Sequence, residues 1–349
     1  MEVRLKKNQG LLFSAIPDSQ SVRARVSERG SVEYVWPNSL VLSEKLKKSL
    51  LGRSVKFYFP SPTPATFKNV PWIINTCADA DEYSSGLLGL DDAFGSSAQI
   101  LNHPRAVVAS RRDKVASLLD GIDSLTVPKC IRFVPKKSQD FQKAYADAAM
   151  SYPVLVRPAA SQTGRGLVRV DSPFDWVNVL NSHWYNTPHY MTQFVDFRNM
   201  SSKCFEKVRV VALGHQIFVR AYSRADEWFV NSVPTTVAEA TQYLDAHSSF
   251  SSGEAHWTTL ARVAQEVCAR LPLDFFGVDL GVRSDGNYVF YEVNAAMNIL
   301  ASSAKGGAKE VLGKIISRLE PEMKRYLDEP DAWRHEARNL PSVRDALTS

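Results

Sequence analysis

The sequence predicts a mixed α/β (α+β) protein, and three observations carry that prediction. Short apolar or alternating segments that read as strands recur along the 349 residues, separated by turns or by segments with apolar residues at helical spacing. Two β-hairpins with computable registers stand in the C-terminal half. Composition is globular: 44% hydrophobic and 23% charged residues supply a buried core and exclude wholesale disorder and collagen-like or coiled-coil designs. At about 150 residues per domain, the length corresponds to two or three units or to one multi-lobed protein.

The elements follow in order. VRARV, SVEYVW and VKFYF read as strands, and the proline-rich stretch SPTPATFKNVP then breaks the chain. WIIN is a short buried strand, and the loop after it carries Asp79, Asp81 and Glu82. In an open α/β sheet, ligands bind beyond the carboxyl ends of such strands, although aspartates also serve simply to make turns. SRRDKVASLLDGI places Val115, Leu118, Leu119 and Ile122 at helical spacing with Asp113 near its start, and SQDFQKAYADAAM fits a second helix. SYPVLVRP is a strand, and AASQTGRGLVRV is a small-residue loop feeding another. SPFDWVNVLNSHW reads as a helix opened by Ser-Pro, and HYMTQFVDF again as a strand. A final helix covers roughly 305–327, and the polar tail after it is expected to be peripheral.

The hairpins carry the chemistry. In KVRVVALGHQIFVRAY, a two-residue turn at Gly214-His215 pairs residues whose numbers sum to 429, so Arg209 faces Arg220 and Lys207 faces Tyr222. In FFGVDLGVRSDGNYVFYEVN, the Asp285-Gly286 turn gives the sum 571 and sets Asp279 opposite Glu292, with Asn294 on the same face. Phe276, Val278, Leu280 and Val282, against Val289, Tyr291 and Val293, form the core face. Two facing carboxylates repel, unless a hard cation sits between them. Two carboxylates and an amide oxygen suit Mg²⁺ whose shell is completed by phosphates; the bland alternative is a solvated polar face.

The net charge of +5 is modest, and each basic cluster has acids close by, so a mildly basic surface and a pocket for an anion both account for it. Lys114, Arg157, Lys207, Arg209 and Arg220 are the cations best placed for such a pocket. ASQTGRG offers backbone N–H groups that can approach phosphate, yet it is neither a Walker A loop nor a GxGxxG fingerprint. The four cysteines form no CxxC and the seven histidines no HExxH, so a zinc site or disulfide framework is not expected, and a reducing cytoplasm is. No apolar run approaches about 18 residues, and LLFSAI is too short for a secretory core.

In its order of landmarks over roughly residues 100–320 the sequence resembles the ATP-grasp superfamily. Lys114 in RRDKVASLL resembles the first nucleotide-binding lysine, and YPVLVRPAASQTGRGLV the strand and phosphate-covering loop. MTQFVDF resembles the linker between the two grasping lobes, and DFFGVDLGV with YVFYEVNAAMN the metal signature. A closer likeness, through ILNHPRAVVASRRDKVASLL, FEKVRVV and FYEVNAAM, is to ATP-grasp domains found behind tetratricopeptide arrays; INTCADADE resembles a stretch in those proteins. The resemblance implies an N-terminal α/β lobe (1–104), two α+β lobes clasping ATP (105–189 and 190–328) and a polar tail (329–349).

It also implies roles. Lys114, Arg157, Ser161, Thr163, Gly164, Gly166 and Lys207 would meet phosphates, Gln193, Phe194 and Val195 adenine, and Asp196 the ribose. Asp279, Glu292 and Asn294 would hold magnesium (two ions, with manganese as a substitute), and Arg220 and Arg209 would stabilise the transferring phosphoryl. The implied activity is ADP-forming ligation of an amino-acid or peptide carboxylate to an amine through an acyl phosphate, with Asp79 and Asp81 near the amine. A phosphotransferase, or a nucleotide-binding regulatory protein, stands as the alternative. Neither nucleic acid nor a membrane is an expected partner, and a homodimer stays open. Two departures are plain: Arg157 stands where the family has a second lysine, and Ala160-Ser161 replaces its usual Gly-Ser pair.

Overall fold

A computed structural model describes the chain apart from residues 1, 4, 27–29, 31, 62–65, 68, 182–183, 201, 231–232, 298–299, 301–303 and 349. Its architecture is mixed α/β, with one parallel and two largely antiparallel main sheets.

The N-terminal sheet is parallel, in the order Ser54–Phe59, Gly10–Ala15, Trp72–Asn75, Gln99–Leu101. Trp72–Asn75 is an interior strand covered on both faces, which is why WIIN is a continuous buried run rather than an alternating one. Its one polar residue is satisfied: Asn75 donates to the Asn102 carbonyl at 2.8 Å and accepts from the Cys77 N–H at 2.9 Å. The strands Arg23–Val26 and Val32–Val35 form a separate ribbon.

The middle sheet runs Cys130–Phe133, His189–Gln193, Val154–Pro158, Val168–Val170. Helix Gln139–Asp147 covers it, and Phe141 packs with Val154, Val156, Val170, Trp176 and Met191 in a core of their own. The helix expected from SPFDWVNVLNSHW is shorter: a 3₁₀ turn at Pro173–Asp175 leads into Trp176–Leu180, and Ser182 and His183 lie outside the described residues.

The C-terminal sheet is ordered Gln216–Ala225, Phe205–Leu213, Phe275–Val282, Tyr288–Asn294, with Leu125–Thr126 added in parallel. Helix Thr258–Arg270 turns Leu260, Val263 and Val267 onto Val208, Val210 and Val278. Helix Gly306–Asp328 sets Leu312, Ile315, Leu319 and Met323 against Val211, Leu213 and Phe275 on the other face. The first of these clusters is continuous with Leu11, Phe13 and Ile73 of the N-terminal sheet.

Both hairpins depart from an uninterrupted register. The first keeps the sum 429 from Leu213–Gln216 to Val210–Val219, then shifts at a bulge, so Arg209 faces Ala221 and Lys207 faces Ser223 rather than Arg220 and Tyr222. Arg220 is the extra residue. The second holds 571 over Gly277–Asn294, Val278–Val293 and Asp279–Glu292, but nearer the turn the sum is 570. Tyr291 is the inserted residue there, and it packs edge-on to Phe197 with 5.1 Å between ring centroids. Phe290 consequently joins the core face, while Val289 and Tyr291 turn to the other side.

The tail is not peripheral. Trp333, Ala337 and Val343 are buried, the Arg334 N–H donates to Asp274 at 2.6 Å, and the Val343 N–H donates to Asp91 at 2.9 Å. Among the described residues, no helix is long and apolar enough to cross a membrane.

Candidate active site

A cleft of about 890 Å³ opens between the middle and C-terminal sheets, with the N-terminal lobe along one side. The C-terminal sheet presents Lys207, Arg209, Arg220, Asp279, Glu292 and Asn294 to it; the middle sheet presents Arg157 and Gln193. Alternation explains the first set, since Val208, Val210, Val278 and Val293 take the core side. Arg220, the extra residue of the bulge at Arg209/Val210, lines the cleft as well.

The charges are interleaved. Asp279 is buried and accepts from Arg209 Nε and Nη2 at 2.7 and 2.8 Å and from Lys207 Nζ at 3.1 Å. Burial alone would raise its carboxyl, yet these two cations hold it well below the usual carboxylate range. Glu292 accepts a hydrogen bond from Arg112 Nη2, and Arg157 Nη1 lies 3.9 Å away. Here too burial pushes up, while Arg112 and Arg157 pull the carboxyl below its ordinary value despite Asp279 beside it. The guanidiniums of Arg157 and Arg220 are pushed down to about 10, first by burial and then by a neighbouring arginine, Arg112 and Arg209 respectively.

Asp279 and Glu292 are directly opposed in register, and Asn294 lies two residues beyond on the same strand. Hard oxygen donors from adjacent positions fit a divalent cation such as Mg²⁺. The Asn294 side chain accepts from the Ala296 N–H at 2.7 Å and donates to Gln162 at 3.2 Å. No group of three His, Cys, Asp or Glu side chains suited to a metal occurs among the described residues, so the set depends on the amide and on oxygens from outside the chain.

The loop after Val154–Pro158 brings Thr163 and Gly164 to the cleft. Gly164 has φ +72°, and a Cβ there would stand 2.2 Å from the Phe229 ring, so a close approach as well as the backbone requires glycine. Ser161 lies outside the main cleft: it accepts from Arg157 Nε at 3.1 Å and faces a smaller cavity behind it. Gly166 (φ +70°) turns under Pro158, also away from the cleft. Phe194 and Val195 line the cleft with Gln193, whose amide is tied to the 151–153 backbone; Asp196 is exposed and caps the Arg198 N–H at 2.9 Å.

Lys114 does not join the cleft. Its ammonium donates to the Ala346 carbonyl of the tail, and the cation that its helix sends to the cleft is Arg112. Asp79 and Asp81 bound the smaller cavity together with Arg111, Arg112, Gln162 and Tyr190. Burial, and then Asp81, push the Asp79 carboxyl up, and Asp79 accepts from Gln162 at 3.2 Å. Gln162 thus links the N-terminal lobe to Asn294. Sequence reasoning passed over both Gln162 and Arg112; the signal for Arg112 was a basic pair at a helix start, where acids are favoured.

No protein-family model and no curated protein sequence matches the chain. Solved structures do. A D-alanine–D-alanine ligase from Bacillus anthracis is 12% identical, with 86% of this chain and 96% of that one covered and a TM-score of 0.49. A RimK domain protein ATP-grasp from Sphaerobacter thermophilus is 15% identical over 80% and 95%, with a TM-score of 0.45. The ATP-grasp ligase PsnB, complexed with a minimal precursor, Mg and ADP, is 16% identical over 69% and 66%, with a TM-score of 0.37.

Proposed function

We propose that the chain is an ATP- and magnesium-dependent ligase that joins a carboxylate to an amine through an acyl phosphate. One observation carries the reading. Arg23, Arg112, Arg157, Arg165, Lys207, Arg209 and Arg220 line the cleft against Glu82, Asp279 and Glu292, an excess of four positive charges that a nucleoside triphosphate neutralises.

A substrate carboxylate oxygen attacks the γ-phosphorus, the bond to the bridging oxygen breaks, and ADP leaves with that electron pair. The amine nitrogen then attacks the acyl carbon, the carbon–oxygen bond to phosphate breaks, and the nitrogen's proton leaves with inorganic phosphate. Arg157 and Lys207 hold nucleotide phosphates, while Arg209 and Arg220 stabilise charge on the transferring group. Gln193, Phe194 and Val195 flank the base, and the loop from Gln162 to Arg165 keeps water from the acyl phosphate. Asp279, Glu292 and Asn294 hold the divalent cation, which supplies charge neutralisation at phosphate oxygens. The four unpaired cysteines accord with a reducing cytoplasm.

The test is product formation. ADP and inorganic phosphate appearing only when both a carboxylate and an amine are present support the ligase; a stable phosphorylated product points to a phosphotransferase. The ion pairs already made by Asp279 and Glu292 favour one further reading, nucleotide binding without turnover, which survives if ATP binds and no acceptor mixture releases ADP. Glu292→Gln is expected to lower turnover on the order of 10²–10³-fold.

A further inference from the structure

Helix Arg112–Leu119 starts on two arginines, at the end of a helix whose partial positive charge favours acids. Arg111 is answered locally, its Nε and Nη2 donating to both oxygens of Asp113 at 2.7 and 2.8 Å. Arg112 turns away from its helix and donates to Glu292, sharing Oε2 of that carboxylate with Arg157. It also stands at a junction, lining both the main cleft and the smaller cavity bounded by Asp79, Gln162 and Tyr190. A guanidinium stationed against a helix dipole and near a second guanidinium is held there chiefly by one carboxylate. That carboxylate belongs to the pair assigned above to a divalent cation.

We propose that Arg112 is the residue that takes the substrate carboxylate, and that Glu292 alternates between Arg112 and the metal. This rests on the ligase reading and deepens it. In the structure Glu292 holds the guanidinium. Were Glu292 to hold a divalent cation, the planar fork of Arg112 would be left to an anion, and a carboxylate matches that fork bidentately. The group that attacks phosphorus would then be bound more tightly with the metal in place, and the metal more tightly with that group bound.

Manganese is the probe, followed by its paramagnetic resonance with ADP present, and acetate is the smallest carboxylate. Arg112→Met is expected to tighten Mn²⁺ binding about tenfold, within the usual range of coupling between sites. Arg112→Lys, which keeps the charge without the fork, falls between, and it decides the matter if the methionine variant does not fold. Acetate tightens Mn²⁺ binding in the wild type and not in Arg112→Met, because linkage is reciprocal. Unchanged Mn²⁺ affinity in the Arg112 variants, with weaker binding in Glu292→Gln, overturns the hand-over and leaves the metal site standing. If Glu292→Gln also leaves Mn²⁺ binding unchanged, the metal site fails and the hand-over with it.

Discussion

The middle and C-terminal sheets face the same cleft but are anchored differently. Behind the middle sheet lies a self-contained core around Phe141, Val156, Trp176 and Met191. The C-terminal sheet shares its core with the N-terminal sheet, so that Val208, Leu260 and Phe276 belong to one cluster with Phe13 and Ile73. The tail adds Trp333 to the other face of that body. One jaw is thus a small unit stabilised by its own contacts, and the other is part of the main mass. A cleft built this way is expected to open by moving the small unit while the larger core stays closed.

Four changes break or sharpen that contrast. Trp333→Ala removes a buried ring that meets Trp72 edge-on and donates to the Tyr326 carbonyl at 2.8 Å; it should cost the body about 3–5 kcal/mol in urea unfolding. Met191→Ala, in the middle core, should cost roughly 2–4 kcal/mol. That loss should appear as earlier hydrogen exchange of residues 130–193, with the body's protection unchanged; a uniform loss would refute the separation. Gly164→Ala strains a residue at φ +72° against Phe229. It should cost about 1–2 kcal/mol locally and reduce turnover well beyond any change in melting temperature.

The smallest effect is a pH slope confined to the body. Burial pushes Asp274 up to about 6, although it accepts hydrogen bonds from the Asn102 N–H, Tyr326 and the Arg334 N–H. A raised carboxyl favours the protonated folded state, so its stabilisation is present below about pH 4 and fades as pH rises through about 6. Asp279 and Glu292 run the other way, stabilising above their unfolded values and losing that as pH falls past their lowered ones. Unfolding measured between pH 4 and 6 should show a slope on the order of 1 kcal/mol per pH unit that Asp274→Asn reduces, with the raised Asp79 carboxyl contributing in the same sense. The exchange of the middle unit should not follow it.

Local signals explain what was legible. WIIN, the Asp285-Gly286 turn and the alternation of FEKVRVV are written in neighbouring residues, and they gave the sheets and the facing pair Asp279–Glu292. The bulges are not written locally: the inserted Tyr291 packs against Phe197, nearly a hundred positions away in sequence. The tail reads as polar, yet its burial depends on Asp274 and Asp91, far upstream. Lys114 and Arg112 are two residues apart on one helix and therefore point in different directions, so choosing between them needed the tertiary contacts with Ala346 and Glu292.

The two bulges sit at one level of the C-terminal sheet, because Arg209 and Asp279 are partners across adjacent strands and each bulge begins beside one of them. They act as slip joints. The hairpin loops beyond them can be lengthened or trimmed while the pairs on the cleft side keep their places. Deleting Arg220 or Tyr291 instead closes the ladder, since Val210–Val219 and Arg209–Ala221, or Leu280–Phe290 and Asp279–Glu292, then become consecutive pairs and only the inserted side chain is lost. The chain therefore has room to vary its turns freely while its chemistry stays fixed.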